Sequence, residues 1–75
     1  MTPRLVPIAD VMANDSNMRG VSQAMGNFKT TEFSRLPAET APPVWLNWGM
    51  GLAIMDGRHR VAAALLRGDT HILAE

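Results

Sequence analysis

Four consecutive residues have the types and spacing that bind an anion: Gly57, Arg58, His59 and Arg60. They lie between a short apolar run and an alanine-rich stretch, so they would occupy the first turn of a helix. The first N–H groups of a helix have no partner within it, and the helix dipole adds roughly half a positive charge there. Glycine lets a ligand come close to the backbone, and cationic side chains suit phosphate. The pattern therefore predicts a phosphate site.

The side chains of this first turn cannot all face one ligand, because consecutive helical residues lie about 100° apart. Gly57 and Arg60 are three apart and share a face, and the small Ala63 leaves room beside Arg60. In the plainer alternative, Arg60 is a surface residue or pairs with Asp56, and His59 is a half-exposed residue without a role. We predict that Asp56 caps the helix rather than acting as a catalytic base.

Gly57, Arg60 and Ala63 resemble the glycine–x–x–arginine–x–x–alanine box of the ParB/sulfiredoxin superfamily. That family has an N-terminal strand, helices, a proline before a strand, a hairpin, the box-bearing helix and a closing strand, and this chain is similar. The resemblance implies a single nucleotide- or phosphate-binding domain over residues 1–75. It also implies that Gly57 gives the backbone approach to phosphate and that Arg60 holds the phosphate.

Departures from the family pattern limit the chemistry that the resemblance implies. In sulfiredoxins a cysteine stands where this chain has Arg58, so covalent sulfur chemistry is excluded, and Arg58 and His59 become contacts at the rim. The glycine–glutamine–proline element of ParB proteins corresponds to residues 39–43, which keep only proline. We therefore predict non-covalent binding, with a nucleoside triphosphate and Mg²⁺ as the candidate ligand, and we favour a binding protein over an enzyme.

An alternative of a different class is a non-catalytic protein inhibitor, of the anti-CRISPR or anti-restriction type that phages and mobile elements encode. It would bind a host nucleic-acid-binding complex through its surface, with Trp45, Trp48 and Met50 as candidate contacts, since tryptophan is favoured at interfaces. Acidic residues clustered away from the arginines would favour a basic partner. The acidic residues in question are Asp10, Asp15, Glu32 and Glu39.

Composition excludes several classes of protein. The 75 residues suffice for one small domain, and without cysteine there is no disulfide, thiolate metal site or cysteine nucleophile. A formal net charge of zero disfavours direct nucleic-acid binding without excluding it. No apolar run approaches the roughly 18 residues of a membrane span, so we predict a cytoplasmic protein without a metal site of its own. A homodimer stays an open alternative.

The elements that would position these residues form a small α+β minidomain: a short mixed sheet with a β-hairpin, one main C-terminal helix and short N-terminal helices. Residues 13–43 form a polar segment whose order is left open, with a brief amphipathic helix through Val21, Met25 and Phe28. The predicted strands are 5–8, 44–47, 52–55 and 70–73, the hairpin turn is 48–51, and the further helical segments are 9–12, 31–36 (capped by Thr30 or Thr31) and 58–67.

The sequence leaves open which face of the second strand is buried. Successive side chains point to opposite faces, so Trp45 lies on one face and Val44 and Leu46 lie on the other, and one of these faces must be core. Either both tryptophans close a small core, or Trp48 at the hairpin tip is exposed beside Met50 and suits an interface.

Overall fold

The computed structural model describes residues 2–35 and 41–75 of the chain, and the architecture is α+β, as the sequence predicts. Within these described residues, three helices follow the first strand, a β-hairpin comes next, and a fourth helix leads to the last strand. The second and fourth helices have 10 residues each, so the expectation of one main C-terminal helix among short N-terminal ones is wrong. The elements in chain order are β1 (Arg4–Pro7), α1 (Ile8–Met12), α2 (Asp15–Ala24), α3 (Phe28–Ser34), β2 (Trp45–Asn47), β3 (Ala53–Asp56), α4 (Arg58–Arg67) and β4 (His71–Ala74).

The strands form two antiparallel pairs, β1 with β4 and β2 with β3, and hydrogen bonds between β4 and the start of β2 join them. Val44 forms a parallel bridge with Ala74. Its N–H donates to the Leu73 carbonyl at 2.9 Å, and its carbonyl accepts the Glu75 N–H at 2.8 Å. The Leu46 N–H then donates to the Glu75 carbonyl at 2.9 Å. The strands therefore lie in the order β1, β4, β2, β3.

β1 lies at one edge of this arrangement, where a strand exposes backbone groups. The Ile8 N–H donates to the Thr70 carbonyl of the neighbouring strand at 2.9 Å. In an antiparallel ladder the backbone groups of alternate residues point toward the partner strand. The backbone groups of Leu5, three residues before Ile8, therefore point to the outer side. Pro3 and Pro7 flank Leu5, and neither has an N–H to offer to a further strand. Pro7 thus lies at the end of an edge strand, where its missing N–H leaves no partner unpaired.

The core lies between the inner face of the strands and the helices. Val44 and Leu46 are buried on this inner face, whereas Trp45 between them is exposed, which decides between the two faces predicted for this strand. α4 contributes its apolar side to the same core. The buried hydrophobic residues are Val6, Ile8, Val11, Val21, Ala24, Val44, Leu46, Val61, Ala62, Ala63, Ala64, Ile72 and Ala74.

The stretch after α1 contains two helices, α2 and α3, and the first of them begins earlier than the sequence predicts. The Asn14 side chain accepts the Asn17 N–H at 3.2 Å and so caps the first turn of α2. Val21 is buried, but Met25 is the C-cap of α2, and Phe28 begins α3 and is 73% exposed. The predicted helix through Val21, Met25 and Phe28 is therefore wrong, because α2 ends at Ala24 and Asn27 caps a separate helix that begins at Phe28.

Asn17 fastens α2 to the outer edge of the hairpin. Its buried side chain donates through Nδ2 to the carbonyls of Val11 at 2.9 Å and Leu52 at 2.8 Å. Its Oδ1 accepts the Ile54 N–H at 2.8 Å. A primary amide has two donor hydrogens and one acceptor oxygen, so Asn17 uses both kinds of group on the backbone. The start of α2 thus covers the edge of β3.

α3 begins earlier than predicted and has a different cap. The Asn27 side chain, rather than Thr30 or Thr31, caps it by accepting the Lys29 N–H at 2.8 Å. Thr30 is buried inside the helix, and its hydroxyl donates to the Ala24 carbonyl at 2.6 Å. The hydroxyl that looked available as a cap therefore joins α3 to the end of α2.

The remaining boundaries lie within one residue of the prediction. β1 ends one residue early because Ile8 opens α1, and β3 starts one residue late because Leu52 is still in the turn, with φ 60°. β4 covers His71–Ala74, and α4 has the predicted bounds. Leu36, the predicted end of α3, lies outside the described residues.

Candidate functional site

The predicted first turn of the anion site is the start of α4. Gly57 is its N-cap residue, with φ 115° and ψ 19°, a left-handed conformation that favours glycine. The Arg60 and Val61 N–H groups both donate to the Gly57 carbonyl, at 2.9 and 3.1 Å. The amides of Arg58 and His59 therefore stand at the open end of the helix, where the dipole is positive.

Asp56 does not cap α4, contrary to the sequence prediction. The helix has no side-chain cap, and the Asp56 carboxylate instead accepts from Arg60 Nη2 at 3.3 Å. This contact is the plainer alternative that the sequence left open for Arg60. Because the Asp56 side chain is 75% exposed, water screens the pair, and its contribution to stability is small.

Arg60 is held by the protein on two sides. Besides the Asp56 contact, its Nη1 donates to the carbonyls of Pro42 at 2.9 Å and Pro43 at 3.1 Å. Its side chain is only 12% exposed and lies over Gly57, where an added Cβ would be 3.0 Å from Nη2. The predicted closeness of Gly57 and Arg60 is confirmed. A role for Arg60 as the phosphate ligand stays a prediction, because its guanidinium already binds backbone carbonyls.

An open cleft of about 740 Å³ lies beside the start of α4. Besides Arg60, the cationic residues Lys29 from α3 and Arg58 from α4 line it, and His59 lies beside them. Among the described residues that line the cleft, Asp56 is the one carboxylate. Arg58 is exposed and His59 is half-exposed, while α2 and β3 supply the opposite walls. Among the charged side chains of the cleft, the positive ones therefore outnumber the carboxylate.

Lys29 is a lining residue that the sequence prediction did not single out. It lies in the first turn of α3, where its N–H donates to the Asn27 cap. Its place in the cleft depends on the packing of α3 against α4, which no local pattern indicates. The one available signal was that Lys29 is the single lysine of a chain whose other basic residues are arginines.

The residues predicted for protein contact divide between surface and core. Trp45 is 56% exposed, and Met50 in the hairpin turn is 67% exposed. Trp48 is half-buried against the core, and the Arg4 guanidinium lies over its ring, 4.0 Å from the centroid. The expectations that Trp48 is the exposed tryptophan and that both tryptophans close the core are therefore wrong. Trp45 is the tryptophan that solvent reaches.

The acidic residues that would form a patch for a basic partner lie on separate helices. Asp10 is in α1, Asp15 is in α2 and Glu32 is in α3, and all three are exposed. Glu39 lies outside the described residues. A cluster made by these four residues stays a prediction.

No three His, Asp or Glu side chains within residues 2–35 and 41–75 lie together as ligands for a metal ion. In the same parts of the chain, no helix has the length and apolar character needed to pass through a bilayer. Comparisons with protein-family models, curated proteins and solved structures find no match to this chain. The function is therefore inferred from the geometry of the site.

Proposed function

We propose that this protein binds a phosphate-bearing ligand non-covalently, in the cleft at the start of α4. The observation that carries the proposal is the lining of the cleft, where Lys29, Arg58 and His59 surround a helix N-terminus in an open, concave site. Phosphate oxygens accept hydrogen bonds from such side chains and from the first amides of a helix. A nucleoside triphosphate, with Mg²⁺ bound among its phosphates, is the ligand we favour.

The resemblance of Gly57, Arg60 and Ala63 to the ParB/sulfiredoxin box supports the same proposal, since that family binds nucleotides or phosphate at this helix start. The order of the described elements is the order that the resemblance implies. We propose a trimmed domain of this kind that binds its ligand without transforming it. The cytoplasm is the compartment that we propose for it.

Within this site, we assign Lys29, Arg58 and His59 to the ligand and Arg60 to positioning. Arg60 fastens the segment before β2 to α4, so it fixes the wall of the cleft that this segment forms. A phosphate would reach the Arg60 guanidinium by displacing the Asp56 carboxylate from Nη2. The positioning role of Arg60 does not require the Asp56 carboxylate to be displaced.

Thermal-shift and calorimetric titrations test this proposal, with phosphate, ATP, CTP and GTP as probes, each with and without Mg²⁺. A ligand at 100 times its dissociation constant stabilises the folded state by about 2.7 kcal/mol, which a small domain reports as a large thermal shift. Arg58→Ala and Lys29→Ala should remove the shift without changing the melting temperature of the free protein. Arg19→Ala, an exposed arginine outside the lining of the cleft, is the matched control and should keep the shift.

The absence of stabilisation by any of these probes would refute the proposal. Binding that survives Arg58→Ala and Lys29→Ala but fails in Arg60→Ala would contradict the assigned roles. In that case Arg60 would be the ligand contact that the family resemblance implies.

A second candidate function is protein interaction through the hairpin, the inhibitor-type alternative without catalysis. The exposed side chains of Trp45, Met50 and Met55 favour it. Large apolar side chains exposed on one short element are typical of docking sites, and tryptophan is the residue most enriched at their energetic centres. Trp45 and Met50 lie outside the lining of the cleft, whereas Met55 belongs to both sites.

A further inference from the structure

Trp45 lies directly between two acidic residues on neighbouring strands. The register of the hairpin pairs it with Asp56 of β3. On its other side, the Glu75 N–H donates to the Val44 carbonyl and the Leu46 N–H donates to the Glu75 carbonyl. This parallel pattern sets Glu75 opposite Trp45. Since directly paired residues project from the same face, Asp56, Trp45 and Glu75 form a row across three strands.

A β-bulge adds a fourth residue to this row. The register shifts between Trp45 and Leu46, so Met55 and Asp56 both lie against Trp45. Met55 and Asp56 are exposed, like Trp45, whereas Leu46 is buried on the inner face. The residues Trp45, Met55, Asp56 and Glu75 are called the Trp45 surface here. It lies on the face of the strands opposite the core.

We propose that the Trp45 surface binds a basic protein segment, through an arginine whose guanidinium stacks on the Trp45 indole. Neighbouring strands lie about 4.8 Å apart, so a guanidinium over Trp45 is within reach of the carboxylates of Asp56 and Glu75. The exposed Met55 side chain offers an apolar contact to the arginine stem. A basic segment of this kind would be the partner in the second candidate function. Its binding does not require the cleft to bind an anion.

The other tryptophan of the chain already makes the contact that we propose for Trp45. The Arg4 guanidinium lies over the Trp48 ring at 4.0 Å, a cation–π contact in which tryptophan is the best of the aromatic residues. Trp45 offers an exposed ring between two carboxylates instead. Asp56 accepts from Arg60 but keeps a largely exposed side chain, and among the described residues no ion pair engages Glu75.

The charges around Trp45 favour a basic protein over the other occupants of such a face. A single-stranded nucleic acid also stacks on tryptophan, but its phosphates would meet Asp56 and Glu75. A second copy of the chain, packed by the same surface, would set these carboxylates against their own copies around a two-fold axis. An acidic peptide meets the same repulsion. An arginine-bearing segment is the occupant whose charge is complementary.

NMR titration of the full chain tests the proposal through the indole N–H signals of its two tryptophans. The probes are octapeptides of arginine, lysine and glutamate, and an oligothymidine of the same length. We expect the arginine peptide to shift the Trp45 signal and to bind more tightly than the lysine peptide, since a planar guanidinium stacks on an indole. The Trp48 signal is the internal control and should stay in place, because Arg4 already covers that ring.

Matched variants distinguish binding at the Trp45 surface from non-specific electrostatic attraction of the peptide to the protein. Trp45→Ala should weaken binding of the arginine peptide about tenfold, and Glu75→Gln about threefold. Asp10→Asn removes an exposed acid from α1 and should change the affinity less than about twofold. Circular dichroism checks the folding of each variant, and Glu75→Gln with Asp56→Asn carries the test if Trp45→Ala does not fold.

Four results would overturn the proposal. They are no binding of the arginine peptide, an equal loss in Asp10→Asn, a Trp45 shift caused by the glutamate peptide or the oligothymidine instead, and a homodimer whose Trp45 is shielded without any peptide. If the arginine peptide does not bind but a nucleotide still raises the melting temperature, the proposal for the Trp45 surface is wrong and the proposal for the anion cleft is unaffected.

Discussion

Asn17 and Arg60 both fasten remote backbone with a side chain, and they do so in opposite ways. Asn17 is neutral and buried, and its amide bonds go to backbone groups of α1 and the hairpin. Arg60 is charged, and one of its partners is the largely exposed Asp56 carboxylate. Both side chains line the same cleft, on different walls.

The two sets of contacts therefore differ in how easily they break. The hydrogen bonds of Asn17 must stay formed, whereas the ion pair between Arg60 and Asp56 can exchange with water or an anion. If Asn17 lets go, its own buried amide and the Val11 carbonyl lose their partners, and each buried group without a partner costs about 1–3 kcal/mol. If Arg60 releases Asp56, water or an anion replaces the carboxylate at little cost. The cleft therefore has a fixed wall made by α2 and β3, and a wall before β2 that is held partly by an exchangeable ion pair.

The largest effect is expected from Asn17→Ala, which should lower the free energy of unfolding by about 3 kcal/mol because the hydrogen bonds to Val11, Leu52 and Ile54 are lost together. Urea denaturation followed by circular dichroism measures it. Asn27→Ala is the control, since it removes an exposed cap of α3 and should cost about 1 kcal/mol. Equal losses in the two variants would mean that the Asn17 hydrogen bonds stabilise the fold no more than an exposed helix cap does.

Gly57→Ala should come next, with a loss of about 2 kcal/mol, because φ is 115° and the new Cβ would be 3.0 Å from Arg60 Nη2 and 3.1 Å from Val44 Cγ1. Gly68→Ala tests the left-handed backbone alone, since φ is 82° and the added Cβ would meet open space, and should cost about 1 kcal/mol. The comparison is by thermal unfolding. Combining Gly57→Ala with Arg60→Ala should recover part of the loss, and strict additivity would show that the two residues do not touch.

The smallest effects concern the exchangeable contact itself. Arg60→Ala should cost about 1.5 kcal/mol, because the Pro42 and Pro43 carbonyls lose their donor. Asp56→Asn should cost less than about 0.5 kcal/mol, since the carboxylate is exposed. Chemical denaturation of both variants ranks them. A larger loss for Asp56→Asn would mean that the ion pair, and not the backbone bonds, holds Arg60.

The parts of the fold that follow from local signals were predictable from the sequence. Alanine and leucine favour a helix, and Gly57 and Gly68 delimit it with left-handed backbone, so α4 was placed with its correct bounds. The paired glycines of the hairpin turn located β2 and β3 to within a residue. The closeness of Gly57 and Arg60 followed from helical spacing alone.

The parts that depend on distant partners were not predictable. Asn17 bonds to residues 35 and 37 positions away, so nothing beside it in the chain marks it as buried. Lys29 reaches the cleft through the packing of α3 on α4. Glu75 stands beside Trp45 because the last strand returns to the middle of the sheet. Pairing with distant residues decides each of these positions, and a local pattern of hydropathy does not indicate which residues pair.

The pairing of β1 with β4 spans more than sixty residues, so the two strands are not made at the same time. A ribosome adds about 5–20 residues per second, and β1 therefore waits for seconds before its partner has been synthesised. On a crowded polysome, a waiting strand is exposed to the equivalent strands of neighbouring nascent chains. On either side of Leu5, Pro3 and Pro7 have no N–H to offer to such neighbours.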